Sequence, residues 1–146
     1  MKALVVIHSG SGTLERAASS VAQGLRESGA SVDRMTVNEK GEAGAGASLL
    51  TSYQIICVGS EAGGWLGSEV HSGIAAYLKQ ASGLGGKQSA SFIIPGLLGG
   101  RKASRKLMAF LEAQGALVFD MEMIRNEQQA SLFGRRLFEG SGRCMD

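Results

Sequence analysis

Five consecutive small polar residues, Ser9-Gly10-Ser11-Gly12-Thr13, stand between an apolar run and a helical pattern. That placement suits an anion site. A strand at Ala3–Ile7 enters the loop, and a helix leaves it at Leu14-Glu15-Arg16. The N–H groups of a first helical turn have no intrahelical partner, and the macrodipole places roughly +0.5 charge there. Ser and Thr hydroxyls add donors, and Gly lets the backbone approach a ligand closely. No Lys or Arg lies between Lys2 and Arg16, so neutral donors must hold the anion, unlike in a Walker loop with its lysine. Ser9, Gly10, Ser11, Gly12 and Thr13 are therefore phosphate-binding candidates. The simpler reading is that Ser11 or Thr13 only caps the helix, worth about 1 kcal/mol.

Other reactive side chains are scattered. His8 ends the first strand beside the loop, where it counters an anion, titrates near neutrality or is a hydrogen-bonded structural histidine. His71 falls on a predicted helix and reads as a surface residue. The histidines and acids show no metal-ligand spacing, and no Ser–His–Asp order is readable, so neither a metal nor a catalytic side chain is expected. Cys57 sits in an apolar run and reads as a buried, inert thiol. With Cys144 near the chain end there is no CxxC pair, and a reducing cytoplasm is the expected compartment. Arg101, Lys102, Arg105 and Lys106 cluster where a helix begins, opposing its dipole. They face an NAD(P)H phosphate, an acidic partner or solvent. Arg135 and Arg136 read as surface charges on the last helix.

The size of the chain, 146 residues, suits one domain spanning residues 1–146. Hydrophobic residues at 44% and charged residues at 19% argue against disorder. A formal charge of +2 is too small to argue for nucleic acid. No apolar stretch is long enough for a membrane span, and the N-terminal run lacks the flanks of a signal peptide.

Strands and helices alternate along the chain. Ala3–Ile7 is the first strand, and Thr13–Glu27 the first helix, with Leu14, Ala17, Ala18, Val21 and Leu25 on one stripe and Gly29 as its C-terminal cap. Ser31–Val37 alternates like an edge strand. Residues Asn38 to Ser48 read as a loop, with a short helical turn at Ala47–Ser52. Gln54–Val58 is an unbroken apolar run typical of a central parallel strand. A polar loop at Gly59–Gly67 precedes a helix at Glu69–Gln80. Ser89–Ile94 is the fourth strand, closed by Pro95-Gly96 and followed by a loop at Leu97–Lys102. A helix at Ala103–Ala113, a strand at Ala116–Met121 and a helix at Glu127–Phe138 complete the pattern, with a fraying tail after Gly140. Alternating βα units imply an α/β fold, a parallel sheet with right-handed crossovers and helices on both faces. The Gly-rich loops after strands one, three and four then share the carboxyl edge, where such sheets bind ligands.

Two stretches carry a resemblance. Leu4-Val5-Val6-Ile7-His8-Ser9-Gly10-Ser11-Gly12-Thr13-Leu14-Glu15-Arg16-Ala17-Ala18 resembles the phosphate loop of the flavodoxin-like family, [ST]-x-[ST]-G-x-[ST] with an acidic residue and a helical Ala behind it. Tyr53-Gln54-Ile55-Ile56-Cys57-Val58-Gly59-Ser60 resembles that family's Tyr-Asp-x-Ile-Ile-x-Gly-Ser run. Leu84-Gly85-Gly86-Lys87 and Ala113-Gln114-Gly115-Ala116 are similar to shorter family segments. The resemblance implies a three-layer α/β/α sandwich with a five-stranded parallel sheet in order 2-1-3-4-5, and flavin mononucleotide (FMN) as cofactor. It assigns FMN to Ser9, Gly10, Ser11, Gly12, Thr13 and Leu14, to Ser60, Glu61, Ala62, Gly63, Gly64 and Trp65, and to Pro95, Gly96, Leu97, Leu98, Gly99 and Gly100. Trp65 would stack on the flavin ring or fold back on its own chain. Gly63 and Gly64 would allow a backbone flip beside the ring, and Leu97 to Gly100 would offer backbone N–H groups to its pyrimidine side. This chain departs from the family in having Leu14 at the last hydroxyl position and a single aromatic, Trp65, in the second loop.

The implied function is electron transfer through bound flavin, the cofactor carrying the chemistry. A short chain without a recognisable nicotinamide motif suits a carrier that serves a redox partner protein. Low acidity and the basic cluster suit an NAD(P)H-dependent FMN or quinone reductase, for which a homodimer is expected. The third reading, a regulatory or interaction module that has lost flavin, draws on Leu14 and the missing aromatics.

Overall fold

The computed structural model describes residues 1–44, 49–97 and 99–145, leaving aside the side chains of residue 65 and residues 142–145. The chain runs β1 (Lys2–His8), α1 (Gly12–Glu27), β2 (Ser31–Val37), β3 (Ile55–Gly63), β4 (Glu69–Val70), α2 (Ser72–Gln80), β5 (Gln88–Ile94), α3 (Arg101–Ala113), β6 (Leu117–Met123) and α4 (Glu127–Met145). The sheet order is β2-β1-β3-β5-β6. All neighbours on that path are parallel, and β4 is a short antiparallel return on the end of β3. With β4 set aside, this is the order 2-1-3-4-5.

Alternation along the central strands feeds two cores. Ala3, Val5 and Ile7 of β1, with Ile55 and Cys57 of β3, pack under α1 and α4. Leu4, Val6, Ile56 and Val58 point the other way, onto α2 and α3. Both faces of these strands are covered, so they read as continuous apolar runs. The predicted stripe of α1 is buried in full. Cys57 is completely buried, and burial, helped by the Asp120 charge, pushes its thiol pKa far up.

Three readings of the sequence need correction. Residues Gly59–Gly63 are not loop: they extend β3, because Gly59, Ser60 and Glu61 pair with Phe92, Ile93 and Ile94. Gly59 is there for packing, since a Cβ would collide with the Phe92 ring. Glu69 and Val70 are strand rather than helix, pairing with Gly63 and Ala62. The last helix does not end at Phe138. It runs on, with the Phe119 ring 3.0 Å from where a Gly140 Cβ would stand and the Ser141 hydroxyl donating to the Phe138 carbonyl at 2.8 Å. Arg135 and Arg136 are exposed on α4, as expected of surface charges, and both are paired: Arg135 with Glu27 of α1, and Arg136 with Asp120 and Glu122 of β6. The turn expected at Ala47–Ser52 exists as a 3-10 turn at Leu50–Ser52 with Leu49 as its N-cap, residues 47 and 48 lying outside those described.

Candidate functional site

The loop after β1 is exposed from Ser9 to Thr13. Ser11 is the N-cap of α1, its Oγ accepting from the Leu14 N–H at 3.5 Å. The Leu14 side chain points away from the loop and is fully buried in the α1–α4 core, so it neither adds a donor nor blocks the opening. The Thr13 Oγ1 accepts from Arg16 at 3.5 Å. Gly12 and Thr13 supply the remaining N–H groups of the first turn, which have no intrahelical acceptor.

The Ser11 N–H does have an acceptor. It donates to Glu61 Oε1 at 2.6 Å, a charge-assisted distance. Glu61 lies near the end of β3, paired with Ile94. A side chain on Gly10 would collide with that same carboxylate oxygen, so the absent Cβ makes the hollow in which the oxygen sits. The anion loop thus holds an anion of the chain's own.

Behind Glu61 lies a histidine pair. The Glu61 N–H donates to His8 Nε2 at 3.1 Å, which puts the His8 proton on Nδ1, 3.0 Å from the Ser9 carbonyl it donates to. The His71 ring stacks on His8 with centroids 3.7 Å apart and planes 3° from parallel. His71 is the N-cap of α2, its Nδ1 accepting from the Gly73 N–H at 3.0 Å. His71 is therefore not the plain surface residue expected: it is half-buried, stacked on His8 and capping α2. Burial lowers the His8 pKa below its ordinary 6.5; the Ser9 carbonyl opposes this, His71 adds to the lowering, and Glu61 opposes it. Ser60 is buried beside the pair, its hydroxyl donating to the Glu61 carbonyl at 2.9 Å and accepting from the His71 N–H at 3.1 Å. That hydroxyl faces the interior, contrary to its assignment to the cofactor.

The second and third loops meet over the same edge. Trp65–Gly67 form a 3-10 turn in which Leu66 has φ 61°. A non-glycine residue there is strained. Pro95 leads from β5 into a tight turn in which Gly96 and Gly99 exchange both N–H···O bonds, at 3.2 and 3.1 Å. The Gly99 N–H is thus not free for a ligand, a correction to its expected role. Gly100 is buried and caps α3, its carbonyl accepting from Ser104. A Gly67 Cβ would stand 2.6 Å from the Gly99 carbonyl oxygen, so the two loops touch. Between them lies a cleft of about 190 Å³ lined by Ala62, Gly64, Leu66, Gly67, Gly96 and Leu97. A larger cavity, about 440 Å³, opens from Thr13 and Arg16 toward Arg125 and Asn126 over Ile94 and Ile124. Arg16 faces Glu127 across it at 3.6 Å.

No family profile matches this sequence, and no curated protein matches it. Solved structures do. A flavodoxin of Streptococcus pneumonia TIGR4 superposes with a TM-score of 0.74 at 18% identity, over 99% of each chain. The two-electron reduced flavodoxin of Megasphaera elsdenii gives 0.71 at 19% identity, over 97% of this chain and 98% of that one. Oxidised flavodoxin 1 of Bacillus cereus gives 0.70 at 19% identity, over 98% of each. The fold is flavodoxin-like.

In this flavodoxin-like chain the carboxyl edge gathers Ser9 to Thr13, Glu61 to Gly64, Pro95 to Leu97 and Gly99, whereas the Leu14 side chain, the Ser60 hydroxyl and Gly100 are buried. The stacking role expected of Trp65 concerns a side chain outside those described, and Leu98 lies outside the described residues. The sequence reading missed His71 and the inward turn of Glu61. His71 was findable, because His71-Ser72-Gly73 opens an apolar-periodic stretch at a capping position. Nothing local signals Glu61, whose partner lies 50 residues away.

Proposed function

We propose that this chain is an FMN-binding redox protein that passes electrons through bound flavin. One observation carries the reading: the loop at the start of α1 already holds an anionic oxygen on the Ser11 N–H, at 2.6 Å. A loop that takes a carboxylate oxygen has the donor chemistry for a phosphate ester. Ser11, Gly12 and Thr13 would hold that phosphate by N–H groups, with the Ser9 and Ser11 hydroxyls beside them. Ala62, Gly64, Leu66, Gly96 and Leu97 would supply the apolar walls for the ring. Bound FMN supplies one- and two-electron transfer at that ring. The protein's part is to orient it, keep water off its faces and set charge near it.

Reconstitution tests the reading. The full chain mixed with FMN is expected to retain it at micromolar concentration, with flavin absorbance and quenched fluorescence; a colourless chain after desalting refutes it. Adding NADPH alone to the loaded protein then separates carrier from reductase, since only a reductase bleaches at catalytic rates. The exposed Arg101, Lys102 and Arg105 on α3 are the basic groups that a reductase would offer to NADPH.

The flavin-free module has its own support. The cleft of about 190 Å³ between the loops is smaller than the roughly 300–1,000 Å³ of most ligand pockets. On the FMN reading the loops must part when the ring enters. On the other reading they stay in contact.

A further inference from the structure

Given the FMN reading, on which this rests, we infer that Glu61 is an internal competitor for the phosphate position and sets how strongly this chain prefers phosphorylated to unphosphorylated flavin. Its carboxylate accepts from the Ser11 N–H and fills the hollow above Gly10, the place an entering ester oxygen needs. Two anions cannot share one first-turn donor set, because the donors that stabilise one are lost to the other and the charges repel. FMN therefore enters only as the carboxylate leaves.

The exit is mechanically simple. The backbone of Glu61 is fixed by its pairing with Ile94 and by its N–H on His8 Nε2. Only side-chain torsions have to change. The side chain is half-buried with solvent beside it, so the displaced carboxylate returns to water and not to an apolar interior. Riboflavin, which lacks the phosphate, makes no demand on Ser11 and leaves Glu61 where it is. The competition thus weakens FMN selectively and narrows the gap between the two flavins.

The test titrates the full wild-type chain, Glu61→Gln and Glu61→Ala with FMN and with riboflavin, following flavin fluorescence. Both variants are expected to bind FMN roughly tenfold or more tighter, while riboflavin affinity stays within about twofold. Equal FMN affinity in all three chains overturns the inference and leaves the FMN reading intact. An equal gain for both flavins also overturns it, because the carboxylate would then obstruct the ring. Failure of every chain to bind FMN overturns both. A measurement on the wild type alone guards against misfolded variants. Saturating FMN should shift the Glu61 carboxyl and Ser11 amide resonances together, whereas a Ser11–Glu61 bond that persists in the complex defeats the inference.

Discussion

At residue scale the site is governed by who accepts from whom. His8 is held neutral because the Glu61 N–H points at Nε2, and a proton there would remove that acceptor inside a buried stack. The folded chain therefore binds fewer protons than the unfolded chain at pH values between the lowered His8 pKa and 6.5. Stability from this group is full above 6.5 and is lost as pH falls through the folded value. Wild type should lose more melting temperature than His8→Gln between about pH 7.5 and about pH 5, and parallel slopes would refute the assignment. The second prediction concerns Gly12. Arg16 Nη1 stands 2.9 Å from where a Gly12 Cβ would be, and that flexible end can move, so Gly12→Asp should fold. Its carboxylate would add a negative charge at the mouth of the loop, beside Arg16. Unit charges about 4 Å apart near a surface repel by up to about 4 kcal/mol, so FMN affinity should fall at least roughly tenfold. Riboflavin binding should not change. Unaltered FMN affinity would remove the loop from the site.

At the scale of elements, the α1–α4 contact decides more than helix propensity does. A side chain on Gly24 would strike the Ser131 carbonyl, and one on Gly134 the Val21 carbonyl. Ala in a helix interior is intrinsically favoured over Gly by about 1 kcal/mol. Here the obstacle on each side is backbone, which cannot turn away, and overpacking costs about 1–3 kcal/mol. Gly134→Ala should therefore lower stability by about 1–2 kcal/mol in denaturant titration; a stabilised variant would show that the helices separate freely. The elements themselves were largely legible, since β1, α1 and β2 lie where apolar periodicity put them. The end of β3 was not. Gly59, Ser60 and Gly63 look like loop residues, and only their pairing with β5 and β4 makes them strand.

For the whole molecule, the strand order sets where the candidate site lies. Placing β1 and β3 side by side at the centre brings the loops after β1, β3 and β5 to one edge, the region where open α/β sheets take ligands. The state of that edge is measurable. If the ring enters between the second and third loops, FMN must change amide exchange at Gly96 and Gly99, whose mutual hydrogen bonds close the turn. FMN retained with no change at those amides would put the ring elsewhere, the cavity of about 440 Å³ beside Thr13 being the next place to look. Among the described residues no helix is long and apolar enough to cross a membrane, and no cluster of His, Cys, Asp and Glu could hold a metal ion.

The sequence by itself determined the alternation of strands and helices, the buried stripes and the small-residue loop that opens α1, because each is set by neighbours a few residues apart. Tertiary structure alone decided that Glu61 lies in that loop, that His71 stacks on His8 and that two glycine loops touch. Those contacts join residues tens of positions apart. A periodicity can show which way a side chain faces, but only the packed sheet edge decides what it meets.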